Sequence, residues 1–179
     1  NILNDAINED SIFTYELVAT DADDTDLSYS ATMDGNASVD VIGTTLTVTP
    51  DLNYDGDIFV SVTVSDSEFT DSQSFTLTIN PVNDAPELAQ IDDQAISEDT
   101  ELIYILSASD VDDTELSYSA TVDGNASVDV TESTLTVTPD PNYNGDITVD
   151  VSVSDGEFTD SQSFTLTVNP VNDPPELAN

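Results

Sequence analysis

The sequence predicts an all-β protein made of two tandem Greek-key sandwiches, each of about seven antiparallel strands. Three observations carry that expectation. Apolar residues recur at every second position over short runs, and clusters of Gly, Pro, Asn and Asp separate those runs every 8 to 12 residues or so. The chain also repeats itself: a shift of 89 positions places Glu9 on Glu98, Asp21 on Asp110, Tyr54 on Tyr143 and Phe75 on Phe164 without a gap. Of the 89 pairs so formed, 63 are identical. Self-similarity over an ungapped, domain-length period means copies of one module. The expected domains are residues 1–89, with a linker at 80–89, and residues 90–179, with a linker at 169–178. Asn1, Gln90 and Asn179 occupy equivalent positions, so the chain is expected to be an excerpt from a longer array.

Each element follows in order. A short first strand is expected near Ala6 and Ile7. From Ile12 to Thr20 the odd positions Phe13, Tyr15, Leu17 and Ala19 are apolar, as are their equivalents Leu102, Tyr104, Leu106 and Ala108; a period of two marks a half-buried strand. The acidic run from Asp21 to Asp26 interrupts it. Leu27, Tyr29 and Ala31 define the next strand, which closes on Asp34-Gly35-Asn36, a triplet suited to a turn of positive φ. A strand from Ala37 to Val41 leads to one from Thr45 to Thr49, where Pro50 stops the ladder. After the polar loop Asp51 to Asp57, Ile58, Val60, Val62 and Val64 share one face of a long strand. Asp66 to Asp71 forms a hairpin connection, and the last strand turns Phe75, Leu77 and Ile79 inward. A module of this size suffices for one two-sheet core, and the rings of Phe13, Tyr15, Tyr29 and Phe75 belong to it.

Composition narrows the function. The chain holds 38 Asp and Glu, no Lys, Arg or His, no Cys and no Trp, for a formal charge of -38 at pH 7. No side-chain salt bridge can form, and the compact state repels itself unless cations screen or bind the carboxylates. Nucleic acid and direct contact with an anionic membrane are excluded as partners by the same field. The absence of Cys excludes a disulfide scaffold, and the absence of Lys excludes a covalent lysine crosslink or Schiff base. Paired carboxylates could serve a glycosidase, but a duplicated module without His, Cys or Lys reads as no enzyme.

Several acidic groups fall in loops. Asp21 and Asp23 lie two apart, so extended backbone aims both carboxylates to one side. Asp51 and Asn53 repeat that spacing, and Asn83 and Asp84 sit in the linker Val82-Asn83-Asp84-Ala85-Pro86-Glu87-Leu88, which returns as Val171-Asn172-Asp173-Pro174-Pro175-Glu176-Leu177. Calcium takes about six to eight oxygen ligands in flexible geometry, which suits Asp, Asn and Glu; zinc and copper find no His or Cys. No EF-hand is present, since Asp26 stands where its glycine belongs and Thr32 where its glutamate belongs.

The run Leu17-Val18-Ala19-Thr20-Asp21-Ala22-Asp23, the Asp51-to-Asp66 spacing across alternating valines, and the Asn-Asp-x-Pro linker together resemble the cadherin repeat. With the Asn-Tyr-x-Gly loop and Val153-Ser154-Asp155-Gly156-Glu157, the chain resembles the bacterial cadherin-like tandem repeats of large surface adhesins. That resemblance implies a cadherin/immunoglobulin-like sandwich with Ca2+ bound where consecutive repeats join. It carries Glu9, Asp51, Asn53, Asn83 and Asp84 from the first repeat and Asp110, Asp112 and Asp155 from the second to one such junction. Asp21, Asp23 and Asp66 serve the junction at one outer end, and Glu98, Asp140, Asn142, Asn172 and Asp173 that at the other. This chain departs from the pattern in a linker one residue shorter before its proline, in Pro81 at the first linker aspartate, and in Asn53 where glutamate is expected.

The function so implied is a calcium-stiffened extracellular spacer or fibre at the cell surface, in a bacterial adhesin or biofilm matrix, whose partners are further copies of the same repeat. A calcium-dependent module for glycan binding or homophilic adhesion is the alternative. A glycan site needs solvent-facing rings, and only Tyr54, Tyr143, Phe69 and Phe158 are placed for one.

Overall fold

A computed structural model describes residues 2–175. The chain packs as two compact units, Asn1–Val82 and Asn83–Asn179. The second linker's Glu176 and Leu177 lie outside the described residues.

In unit 1, strands β1 (Asp5–Asn8), β3 (Ser28–Met33), β6 (Gly56–Ser65) and β7 (Thr70–Asn80) form a four-stranded sheet in the order β1-β7-β6-β3. Strands β2 (Phe13–Glu16), β4 (Ala37–Ile42) and β5 (Thr45–Pro50) form a three-stranded sheet in the order β2-β5-β4. The seven-stranded sandwich is as the alternation predicts. Its largest ladder is the β6–β7 hairpin, which runs from the pair Gly56 and Ile79 to the pair Ser65 and Thr70. One pairing departs from the antiparallel rule: β1 runs parallel to β7, with Ile7 opposite Ile79. The strand is only four residues long and lies at the sheet edge, so the weaker parallel ladder costs little.

The core draws on both sheets. Leu46 and Val48 of β5 meet Ile58 and Val60 of β6 and Phe75, Leu77 and Ile79 of β7, all essentially without solvent exposure. Phe13 leans on Phe75 with ring centroids 5.7 Å apart. Each such side chain removed from water contributes about 1.5–3 kcal/mol, which is what the strict period of two achieves.

Unit 2 repeats the plan: β9 (Gln94–Ser97), β12 (Ser117–Val122), β15 (Gly145–Ser154) and β16 (Thr159–Asn169) in the order β12-β15-β16-β9, and β10 (Leu102–Ile105), β13 (Ala126–Thr131) and β14 (Thr134–Pro139) in the order β10-β14-β13. It adds a two-stranded ladder of β8 (Glu87–Leu88) and β11 (Ala108–Ser109). The strand expected to run unbroken from Ile12 to Thr20 instead stops at Glu16 in unit 1. The Leu17 N–H still donates in register to the Thr44 carbonyl at 2.7 Å, as Leu106 does to Ser133 at 2.8 Å, and the ladder ends there. Beyond that point the backbone has a strand partner only in unit 2, where β8 supplies it.

Two turns fix the loop ends. Gly35 and Asn36 take φ of 135° and 59°, as the Asp-Gly-Asn triplet predicts. In the Asn-Tyr-x-Gly loop, Tyr54 folds back so that its hydroxyl donates to the Asp57 carbonyl at 3.1 Å, and Tyr143 does the same to Asp146 at 2.9 Å. Gly56 and Gly145 sit beneath these hydroxyls at φ of 134° and 143°. Among the described residues no helix is long and apolar enough to cross a membrane.

Candidate metal-binding loops

The acidic loops are built by backbone amides first. Asp110 Oδ1 accepts the N–H groups of Asp112 and Asp113 at 2.9 and 2.8 Å, so the acidic run folds into a tight carboxylate-capped turn. Asp21 does the same with Asp23 and Asp24, both at 3.0 Å, and these amides hold its carboxyl below the usual aspartate range. Asp66 and Asp155 cap the hairpin after the long strand, Asp66 accepting from Glu68 and Phe69 at 2.8 and 2.6 Å and Asp155 from Glu157 and Phe158 at 2.7 and 2.6 Å. In each case one carboxylate oxygen, Oδ1, is committed to the loop.

Linker residues join this cluster within unit 2. The Asn83 side-chain amide donates to Asp155 Oδ2 at 2.7 Å, and the Asp84 N–H donates to Asp112 Oδ2 at 2.8 Å. The Asn83 amide, followed by the Glu157 and Phe158 N–H groups, holds the Asp155 carboxyl below its ordinary range against the opposing effect of burial. Asn83, Asp84, Asp110, Asp112 and Asp155 are thus tied into one set of loops at one end of unit 2. Asp110 Oδ2 is buried and, among the described residues, has no hydrogen-bond partner. A buried anionic oxygen left so is costly, and in a chain without cationic side chains only an outside cation offers compensation.

Among the described residues, Glu9 and Glu98 are the two buried charged ones, 5% and 6% exposed. Glu9 Oε1 accepts the Val82 N–H at 2.6 Å, and Glu98 Oε1 accepts that of Val171. Each glutamate therefore pins the start of the linker that follows its own sandwich. Asp51 and Asn53 lie in the loop after β5, where the Tyr54 N–H donates to the Asp51 carbonyl at 3.2 Å. The Asn53 N–H donates to Asp10 Oδ1 at 3.1 Å, which ties this loop to the turn carrying Glu9; Asn142 and Asp99 repeat that bond at 2.9 Å, beside Asp140 and Glu98. Asp23 is exposed on its turn, and Asn172 and Asp173 are exposed with the Asn172 amide donating to the Asp173 carbonyl at 3.1 Å. Among the described residues, no three carboxylates converge as a ready-made metal cage.

Asp10 and Asp99 escaped the sequence reading. Both adopt left-handed backbone, φ 57° and 60°, in Glu-Asp turns; the invariant spacing of Glu9-Asp10 and Glu98-Asp99 before each second strand was the available signal.

The rings considered for glycan stacking divide. Tyr54 and Tyr143 pack against the cores with their hydroxyls occupied. Phe69 and Phe158 are 74% and 43% exposed.

Residues 82–169 match the family model of a cadherin-like domain. No curated protein sequence matches the chain. Among solved structures the chain resembles human protocadherin-24 EC1-2 at 17% identity and a TM-score of 0.53, covering 89% of this chain and 88% of that one. It resembles Drosophila N-cadherin EC1-4 at 18% identity and a TM-score of 0.56, covering 94% of this chain and 47% of that one, so it spans about half of that structure. It spans 28% of an endo-fucoidan hydrolase of glycoside hydrolase family 107, at 14% identity, 96% coverage of this chain and a TM-score of 0.41. At these identities the cadherin likeness is one of fold, and the match to the cadherin-like family model is confined to residues 82–169.

Proposed function

We propose that this protein is an extracellular repeat array of a bacterial surface adhesin or biofilm matrix, stiffened by calcium and acting as a spacer or fibre. The carrying observation is the buried, partnerless Asp110 Oδ2, set in loops where Asp112 and Asp155 already hold linker residues Asp84 and Asn83. The donor set fits Ca2+: carboxylates, an amide oxygen and backbone carbonyls, with no nitrogen or sulfur ligand. Asn83, Asp84, Asp110, Asp112 and Asp155 would hold the ion; Glu9, Asp51 and Asn53, with Asp21, Asp23 and Asp66, and Glu98, Asp140, Asn142, Asn172 and Asp173, would serve further ions.

Calcium supplies two things at such a place. It neutralises clustered carboxylates that otherwise repel one another, and it fixes a linker whose backbone freedom costs about 1–2 kcal/mol per residue to remove. Since the linker donates ligands, binding the ion and straightening the linker become one event. The glycan-binding alternative keeps only Phe69 and Phe158 as free rings, because both tyrosines are committed to their loops.

The test is a thermal melt in excess EDTA and in millimolar calcium, with small-angle scattering of both samples. At calcium about 100-fold above Kd each site stabilises the fold by about 2.7 kcal/mol, so a rise of many degrees and a longer, stiffer particle are expected. Identical melts and identical scattering curves in the two buffers would reject calcium as the stiffening agent.

A further inference from the structure

Each unit presents one asparagine in a setting that neither the core nor the acidic loops require. Asp34-Gly35-Asn36-Ala37-Ser38 returns as Asp123-Gly124-Asn125-Ala126-Ser127, and no other asparagine of the chain has Ser or Thr two residues on. Asn-x-Ser is the acceptor pattern for an N-linked glycan, and it serves only at a surface an enzyme can reach.

Both copies meet that condition. Asn36 sits in the turn between β3 and β4 at φ 59°, and Asn125 in the turn between β12 and β13 at φ 57°. Both asparagines are exposed, as are Ser38 and Ser127 on the strands that follow. The backbone of each turn is held. The Asn36 carbonyl accepts the Asp51 N–H at 2.9 Å and the Asn125 carbonyl that of Asp140 at 2.8 Å. Asp34 Oδ1 accepts the Phe59 N–H at 2.9 Å, and Asp123 Oδ1 that of Thr148 at 3.1 Å. The functional groups are not held. Among the described residues, the side-chain amides of Asn36 and Asn125 and the hydroxyls of Ser38 and Ser127 have no hydrogen-bond partner, whereas Asn83, Asn169 and Asn172 spend their side-chain amides on such bonds. Left-handed backbone by itself accounts for an asparagine at the turn; it does not call for the free serine two residues on. A Cβ added at Gly35 or Gly124 would meet no atom within 4 Å, so each tip stands in open space with room for a branch. β4 and β13 are edge strands, which leaves the acceptor segment open along one side.

We propose that Asn36 and Asn125 are acceptors of an N-linked oligosaccharide, delivered from a lipid diphosphate carrier by an oligosaccharyltransferase. The proposal rests on the extracellular placement given above, since such transferases act on exported chains. In the transfer the side-chain Nδ2 bonds to the anomeric carbon of the sugar and gives up one proton. The bond from that carbon to the diphosphate oxygen breaks, and the lipid diphosphate leaves with the electron pair. The hydroxyl of Ser38 or Ser127, free to donate or accept, is the group by which the enzyme reads the site. A glycan on each turn also shields the open edge strand behind it, on which unit 1 exposes Ile42 at 75%, from pairing with another chain. None of these four residues is among the proposed calcium ligands.

The test is to incubate the purified, folded full chain with an oligosaccharyltransferase and a lipid-diphosphate-linked oligosaccharide, and to follow intact mass and peptide maps. A free peptide of residues 34–38 in a parallel tube shows that enzyme and donor are active. Glycan is expected on Asn36 and on Asn125. Ser38→Ala should abolish transfer to Asn36 and leave Asn125 modified, Ser127→Ala should do the reverse, and Ser38→Thr should restore modification of Asn36. A chain that stays unmodified while the peptide is glycosylated overturns the folded turns as acceptors. Transfer to Asn36 that survives Ser38→Ala, or sugar found only on other residues, overturns the assignment of the site. The exposed serines can be changed without disturbing the core, and the amide spectrum of each variant checks that the fold is kept. Transfer in a purified mixture does not depend on where the chain resides, and the melt in EDTA against calcium judges the calcium reading, so the two failures are told apart.

Discussion

The two units share nearly the same core and differ where a linker is or is not packed. Phe75, Leu77, Ile58 and Leu46 are buried in unit 1 as Phe164, Leu166, Ile147 and Leu135 are in unit 2. In unit 2 Leu88 joins the core beside Ile91, as Ile2 packs on the core of unit 1, and the acidic loops are engaged by Asn83 and Asp84, whose counterparts for unit 1 fall before the given residues. The lesson is that the repeat in sequence and the repeat in packing are out of phase: a sandwich is completed by residues that belong, by sequence period, to the repeat before it.

The comparison breaks most severely if Leu88 is removed. Leu88→Ala should cost unit 2 about 2–5 kcal/mol through lost burial and a cavity, or about 4–8 °C of melting temperature per kcal/mol for a domain of this size. The equivalent resonances of unit 1 should not move. Were both units to melt as before, the linker leucine would be a bystander and the contrast between the units only apparent.

A smaller effect tests what the units have in common. Adding a Cβ at Gly56 or Gly145 places it 2.8 or 2.9 Å from the tyrosine hydroxyl above, at a φ that side chains rarely adopt. Gly56→Ala and Gly145→Ala should each cost about 1–3 kcal/mol, and by similar amounts, as measured by urea unfolding of each variant. Unequal costs would show that the loop is supported differently in the two units.

Calcium sharpens the contrast further. Asp110→Asn removes charge from the partnerless buried oxygen and should weaken calcium binding by about tenfold or more, roughly 1.4 kcal/mol, by titration calorimetry. Asp21→Asn, on an exposed turn, should weaken it less. Equal losses would remove the linker from the account of affinity.

The smallest effect is in pH. Because the Asn83 amide lowers the Asp155 carboxyl in the folded state, that contact contributes fully above the unfolded aspartate value of about 3.9 and is lost only as pH falls through the lower folded value. A carbon-detected titration should therefore place Asp155 below about 3.9, and Asn83→Ala should move it upward. A midpoint indifferent to Asn83 would mean that the backbone amides of Glu157 and Phe158 alone set it.

Much of this was legible in the residues. Alternation located β6 and β7 to within a residue or two, Pro50 and Pro139 ended their strands, and Asp34-Gly35-Asn36 announced its turn, since period and turn chemistry are local properties. The extent of the strand begun at Phe13 was not legible. Leu17, Ala19 and their equivalents carry the same alternation, yet only Ala108–Ser109 becomes a strand, because a strand exists through its partner and the partner comes from 87–88. Likewise Asp21 and Asp110 each open the same Asp-x-Asp-Asp-Thr run, and nothing near either residue announces that the second would be half-buried beside engaged linker residues.

By itself the sequence determined the repeat, the all-β character, the inward faces and the need for outside cations, because each follows from spacing and composition along the chain. Tertiary structure alone decided that Asn83 and Asp84 are tied to the loops of unit 2 and that, among the described residues, Asp110 Oδ2 is left buried without a partner. Those depend on segments distant in sequence meeting in space, and identical local sequences cannot encode a difference in what arrives to cover them.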